Sequence, residues 1–156
     1  MTAAPLIEAE TSADAAAIEA VTLAAFGPGR FAKTAERLRE RAPLAAGFVA
    51  REDGRVIGSV RLWAITVGGA PALFLGPIAV DRSSRRAGLG AALVRACIEH
   101  ARAAEHIGGV LLVGDPPYFT RFGFQSAPHV RLSGPADPSR IMWLSLSQPV
   151  PSGLAA

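Results

Sequence analysis

The chain has 156 residues, 50% of them hydrophobic, and 16 Lys and Arg against 13 Asp and Glu give it a net charge of +3. A chain of this length folds most economically as one domain with its own core, and its apolar content argues against disorder. Its one cysteine, Cys97, excludes an internal disulfide, and its longest apolar runs, such as ALFLGPIAV, fall far short of the roughly 20 residues that span a bilayer. The opening MTAAPLIEAE has no basic head followed by an apolar block, so no secretory signal is expected. These features point to a soluble, cytoplasmic protein with no membrane partner.

In chain order, PLIEAE (5–10) reads as a short strand. Thr11 then opens a helix with Asp14 as capping-box partner, and Ile18, Val21 and Ala25 form its apolar stripe. GPG (27–29) stops it, and a second helix is expected from about Ala32 to Arg41, ended by Pro43. Its ERLRER run (36–41) reads as a solvated face of alternating charge. GFVARED and RVIGSVRLW meet at Asp53-Gly54, the mark of a type I′ hairpin turn, which needs positive φ at both central positions. A second hairpin turns at Gly68-Gly69 and returns through ALFLGPIAV. Gly76-Pro77 interrupts that strand, because Pro has no N–H for the ladder, and a bulge or splay is expected there.

After an Arg/Gly loop, Leu89, Leu93, Cys97, Ala101 and Ala104 recur at helical spacing, with Arg95, Glu99 and Arg102 opposite. GGVLLV (108–113) is a buried strand, parallel to the previous one because a helix separates them. Asp115-Pro116-Pro117 starts a short helix with Asp as N-cap, and IMWLSLS (141–147) is a closing strand. The order is β-α-α-β-β-β-α-β-α-β-β, a mixed α/β sheet. Residues 5–147 form a single domain and 148–156 a flexible tail.

The loop RRAGLG (85–90) joins a strand to the N-terminus of a helix, where unpaired N–H groups and the helix dipole favour an anion. Gly88 and Gly90 let backbone approach it, and Arg85 and Arg86 can add charge-assisted bonds to phosphate oxygens. A plain glycine turn is the alternative. A dinucleotide fingerprint would need a third glycine where Leu93 stands. A nucleic-acid partner is not expected, since no aromatic residues interleave with the basic cluster.

GPIAVDRSSRRAGLGAALV resembles the acyl-CoA signature of the GNAT superfamily of N-acetyltransferases, and GDPPYFTRFGF is similar to the GDPxYYxRFGF stretch of a bacterial GNAT subgroup. The resemblance implies the GNAT fold over 5–147: a central twisted, mostly antiparallel sheet with one parallel pair, flanked by helices. It implies transfer of the acetyl group of acetyl-CoA to a primary amine by direct attack in a ternary complex. Ile78, Ala79 and Val80 would then line the pantetheine arm, with backbone groups of Ile78 and Val80 offered to it and N–H groups near Ile78 polarising the thioester carbonyl. Arg85, Arg86, Ala87, Gly88, Leu89 and Gly90 would wrap the pyrophosphate. Arg86 departs from the motif, standing where a glycine often follows the leading Arg.

The acceptor would be a small-molecule or peptide amine, and a homodimer is left open. A second reading keeps the same fold as an acyl-CoA-binding module with little catalysis. Two departures support it. FLGPIAV carries no acid where many relatives hold a base, leaving Glu52, Asp115 and Asp137 as candidates. In the commoner pattern FYxxxGF the presumed acid is the tyrosine five residues before the final Phe. Counting back from Phe124 puts Phe119 there, with Tyr118 beside it as the catalytic candidate or as packing against the CoA arm. His100 and His106 are expected to be exposed or structural, His129 could reach a substrate, Cys97 packs in the core, and Trp63 and Trp143 serve as core or pocket wall. No metal-ligand spacing occurs, so no metal is expected.

Overall fold

The computed structural model describes residues 6–26, 34–84 and 88–156. Strand β1 (Leu6–Ala9) leads into a 3₁₀ turn, Ser12–Asp14, and helix α1 (Ala15–Phe26), followed by α2 (Thr34–Arg41). Strands β2 (Leu44–Glu52), β3 (Arg55–Val67) and β4 (Ala70–Val80) form two consecutive hairpins. Their turns have positive φ at Asp53 and Gly54 (52° and 78°) and at Gly68 and Gly69 (57° and 86°), as the sequence requires. Helix α3 (Leu89–Ala103), β5 (Gly109–Val113) and the short α4 (Pro116–Phe119) follow. Then come β6 (Gln125–Ser126), β7 (Val130–Arg131), β8 (Ile141–Ser145) and β9 (Gly153–Leu154).

Seven strands form one sheet in the order β1-β2-β3-β4-β5-β8-β6. All its neighbours are antiparallel except β4 and β5, which the α3 crossover makes parallel. Both faces are covered, which explains why β5 is continuously apolar rather than alternating. Val110 and Leu112 join Leu93, Val94 and Cys97 of α3 in one core, while Leu111 joins Phe74, Ile141 and Trp143 in the other. No helix among the described residues is long and apolar enough to cross a membrane.

The first helix departs from its sequence reading. Thr11 and Asp14 pair as expected, with the Thr11 N–H donating to Asp14 Oδ2 at 2.8 Å, but they close a 3₁₀ turn and α1 begins only at Ala15. Asp14 also receives Arg51 Nη2 at 2.7 and 2.6 Å, and the same guanidinium bonds Glu8. One arginine on β2 thus ties β1 to the start of α1. The expected stops at 27–29 and the start of the second helix at 32 lie outside the described residues.

The last residues are not a loose tail. Gly153–Leu154 pairs with Val130–Arg131, the Ala156 N–H donates to Thr66 O at 2.9 Å, and the Thr66 N–H returns to Ala156 O at 2.8 Å. Ala155 is buried. The prolines and polar residues at 147–152 suggested looseness, yet they form a return loop that brings a strand back over the β3–β4 turn. The closing strand β8 correspondingly ends at Ser145, because the N–H groups of Leu146, Ser147 and Gln148 all turn to Gly108 O.

Candidate active site

The parallel pair β4–β5 is short. Only Leu73 with Val110 and Phe74 with Leu111 are in register, after which the strands diverge, although β5 stays paired to β8 as far as Val113 with Ile141. The divergence begins where Gly76 and Pro77 disturb β4: its register with β3 jumps from Leu75–Leu62 to Ile78–Val60, so both residues face Arg61 alone. The Trp63 indole N–H donates to Gly76 O at 2.6 Å and fixes the bulge from the β3 side. The wedge between the strands is a cavity of ≈ 390 Å³ walled by Phe74 to Ile78, Leu112 to Asp115 and Phe119.

Beyond the bulge, β4 has no strand partner on its β5 side among the described residues. The Asp81 N–H donates to Ile57 O of β3 at 2.7 Å. By the two-residue period of a strand, the N–H and C=O groups of Val80 and Ile78 point the other way, to the side that β5 has vacated. Ile78 also lines the cavity, while the Ala79 side chain is buried in the opposite direction.

The start of α3 is near this wedge through Tyr118, whose hydroxyl lies beside Gly90 and whose neighbour Phe119 lines the cavity. Gly88 caps it in the left-handed region (φ 80°, ψ 4°), a conformation glycine adopts without strain. Helical bonding starts with the Ala92 N–H to Gly88 O, so Leu89, Gly90 and Ala91 have N–H groups with no partner inside the helix. The Leu89 side chain anchors this turn in the core. Arg85, Arg86 and Ala87, the other residues assigned to this loop, lie outside the described residues.

Helix α4 separates the two rings that the sequence places side by side. Phe119 is buried and lines the cavity; it fits because Gly114 has no Cβ, which would stand 2.4 Å from the Phe119 ring. Tyr118 points elsewhere. Its ring packs edge-on against Phe119 and Phe122, with centroids at 4.9 and 5.5 Å, under the Arg121 guanidinium at 4.2 Å. Its hydroxyl lies beside Gly90 and is not part of the cavity wall.

Among the described residues, three charged ones line the cavity: Arg39, Asp115 and Arg140. The solvated-face reading of 36–41 fails for the first. Ala35, Leu38 and Ala42 pack on the core at helical spacing, Arg39 falls on that stripe, and its Nη2 bonds the buried Glu36 at 2.8 Å. The stripe was legible; the alternation of charge hid it. Asp115 does stand at the N-cap of α4, but its side chain makes no capping bond, and the Asp115 carbonyl alone receives the Tyr118 and Phe119 N–H groups. Of the three carboxylates named as base candidates, Asp115 lines the cavity, whereas Glu52 and Asp137 do not. Asp137 accepts from the Ser139 N–H and hydroxyl, and with Arg140 nearby these hold its carboxyl below the ordinary range. Arg140 belongs to the segment 125–140 expected to frame the acceptor pocket, but no motif around it singles it out.

The remaining candidates stand apart. Burial pushes the Cys97 thiol up to about 12, which removes it as a nucleophile. His100 and His106 are exposed, and His129 contributes its carbonyl to the Gly153 N–H and no part of the cavity wall. Trp143 is core and Trp63 half-buried beside the bulge.

The model of the acetyltransferase (GNAT) family matches residues 15–124. The uncharacterized N-acetyltransferase YhbS of Escherichia coli (strain K12) is 35% identical over 127 residues, covering 80% of this chain and 75% of that protein. The structure of Escherichia coli YhbS in complex with CoA superposes with a TM-score of 0.83 at 31% identity, over 97% of this chain and 88% of that one. A GNAT family acetyltransferase from Brucella melitensis in complex with acetyl-CoA gives 0.76 at 29% identity, over 97% and 94%.

Proposed function

The chain belongs to the acetyltransferase (GNAT) family, and from that premise we propose that it moves the acetyl group of acetyl-CoA to a primary amine by direct attack in a ternary complex. The observation that carries this reading is the splay of β4 from β5: it opens the cavity and, among the described residues, leaves the β4 edge at Ile78 and Val80 without a strand partner, while the Tyr118 hydroxyl, one residue from the cavity-lining Phe119, lies beside Gly90 at the start of α3, whose first N–H groups have no partner inside the helix. An extended amide-containing arm suits the strand edge, and a diphosphate suits the helix end.

In this reading the diphosphate rests on the N–H groups of Leu89 to Ala91 and the pantetheine arm runs along Ile78 and Val80. The thioester then lies at the cavity mouth, where backbone N–H groups near Ile78 stabilise the developing oxyanion. The amine enters from the cavity, its nitrogen bonds to the acetyl carbon, and the C–S bond breaks with its electron pair going to sulfur. The proton lost by the amine ends on the thiol or in solvent, with Asp115 the carboxylate on that wall.

The second reading, a CoA-binding module with little catalysis, is supported by Phe119, which puts a hydrocarbon ring on the wall where relatives of the commoner pattern present a hydroxyl. Thiol release from acetyl-CoA with a panel of amines, with the acetylated amine identified by mass, separates the two. Amine-dependent release at a rate well above hydrolysis supports transfer; saturable acetyl-CoA binding without amine-dependent release leaves the module.

A further inference from the structure

Asp115 and Arg140 carry opposite charges on one cavity, yet neither forms an ion pair with the other or with any described residue. Backbone holds them together instead. The Gly114 N–H donates to Arg140 O at 2.9 Å, and Arg140 Nε donates to Gly114 O at 3.2 Å, immediately before Asp115. That bond fixes the root of the guanidinium and leaves its Nη groups for a ligand. Asp137 acts on Arg140 only through space, its Oδ1 being taken by Ser139.

Among the described residues, the other side chains that line the wall are apolar, among them Phe26, Phe74, Leu75, Ile78, Leu112 and Phe119. The third charge, Arg39, is matched by Glu36. A multiply cationic acceptor would therefore meet the unmatched guanidinium of Arg140 beside the single carboxylate of Asp115, both exposed residues on this wall. An amine that also bears an anionic group meets a complement at each end.

Resting on the acetyltransferase reading, we propose that the acceptor is a small amine carrying a carboxylate or phosphonate a few bonds from its nitrogen. Arg140 binds the anionic group and Asp115 faces the amine. A cavity of ≈ 390 Å³, which must also admit the acetyl end of the donor, suits a molecule of amino-acid size. Arg140 is thus a specificity residue, with no part in the bond changes.

The test compares the common amino acids and 2-aminoethylphosphonate with the matching amino-acid amides and with putrescine, on the full chain and on Arg140→Gln. Wild type should turn over at least one anionic amine with kcat/KM at least tenfold above its amide, and phosphonate against carboxylate reports which anion is preferred. Arg140→Gln should raise KM for that amine about 10–100-fold, the loss of a charge-assisted bond, with KM for acetyl-CoA and for the amide unchanged. Equal use of the amides or putrescine, or equal loss on both classes in Arg140→Gln, overturns the inference while leaving acetyl transfer standing. If nothing turns over, transfer itself fails. The inference is then read from calorimetric binding of the same amines to the CoA-saturated protein: it survives if anionic amines bind wild type and not Arg140→Gln, and falls if none binds.

Discussion

The hydroxyl of Tyr118 rests against Gly90: a Cβ on that glycine would stand 3.2 Å from the phenolic oxygen. The hydroxyl therefore sits at the first turn of α3, while the neighbouring ring, Phe119, faces the cavity. Adjacent helical residues differ by about 100° in direction, so one turn cannot aim both at the same point.

This geometry predicts that Tyr118→Phe lowers kcat less than about tenfold, since a general acid contributes about 10²–10⁴-fold. Phe119→Tyr should leave kcat unchanged or raise it. Steady-state kinetics on both variants checks this, and a hundredfold fall in kcat for Tyr118→Phe, with acetyl-CoA affinity and folding intact, would make Tyr118 the acid.

Gly153 has φ 110°, and a Cβ there would lie 2.8 Å from Gly68 Cα. Gly153→Ala should cost about 1–3 kcal/mol, because the strain falls on backbone that cannot rotate away. Urea unfolding measures it. A change within about 0.5 kcal/mol, the range for surface sites, would mean that β9 contributes little to the folded state.

Cys97 is fully buried on α3, with its thiol raised to about 12. It should resist a thiol-exchange reagent at pH 8 in the native protein and react fully in denaturant. Fast native labelling would contradict the packing of α3 on the sheet.

Arg51 first, then the Thr11 N–H, hold the Asp14 carboxyl below its ordinary 3.8. A depressed pKa contributes stability that is present above the unfolded value and lost as pH falls through the folded one. Asp14→Asn should therefore lower the thermal midpoint at pH 7, and the gap should close as pH falls below 3.8 through the folded-state value. A constant gap across that range would show that Asp14 acts through packing alone.

The hairpins, the bulge at Gly76-Pro77, the parallel crossover and the stripe of α3 were legible because each rests on a local rule. Two hairpins are set by positive-φ pairs, the splay by one missing N–H, and α3 by Leu89, Leu93, Cys97 and Ala101. What escaped reading depends on distant partners. Arg39 looks solvated until Glu36 and Phe74 are known to meet it, Arg140 gains its role from Gly114, and Gly153–Leu154 has no strand signal until Val130–Arg131 supplies the pairing. Asp115 was placed correctly in the chain, but its side chain was assigned to a cap it does not make.

The central claim is that the start of α3 and the edge of β4 at Ile78 and Val80 hold acetyl-CoA. Gly88 tests it directly, because a Cβ there would meet nothing among the described residues within 4 Å, so an added side chain displaces no core atom, although the φ of 80° strains any residue but glycine. Titration calorimetry should show saturable binding of acetyl-CoA to wild type, at least a hundredfold weaker binding to Gly88→Glu, and a smaller loss in Gly88→Asn, which tolerates the left-handed φ without the negative charge. No binding to wild type, or equal binding to wild type and Gly88→Glu, would contradict it.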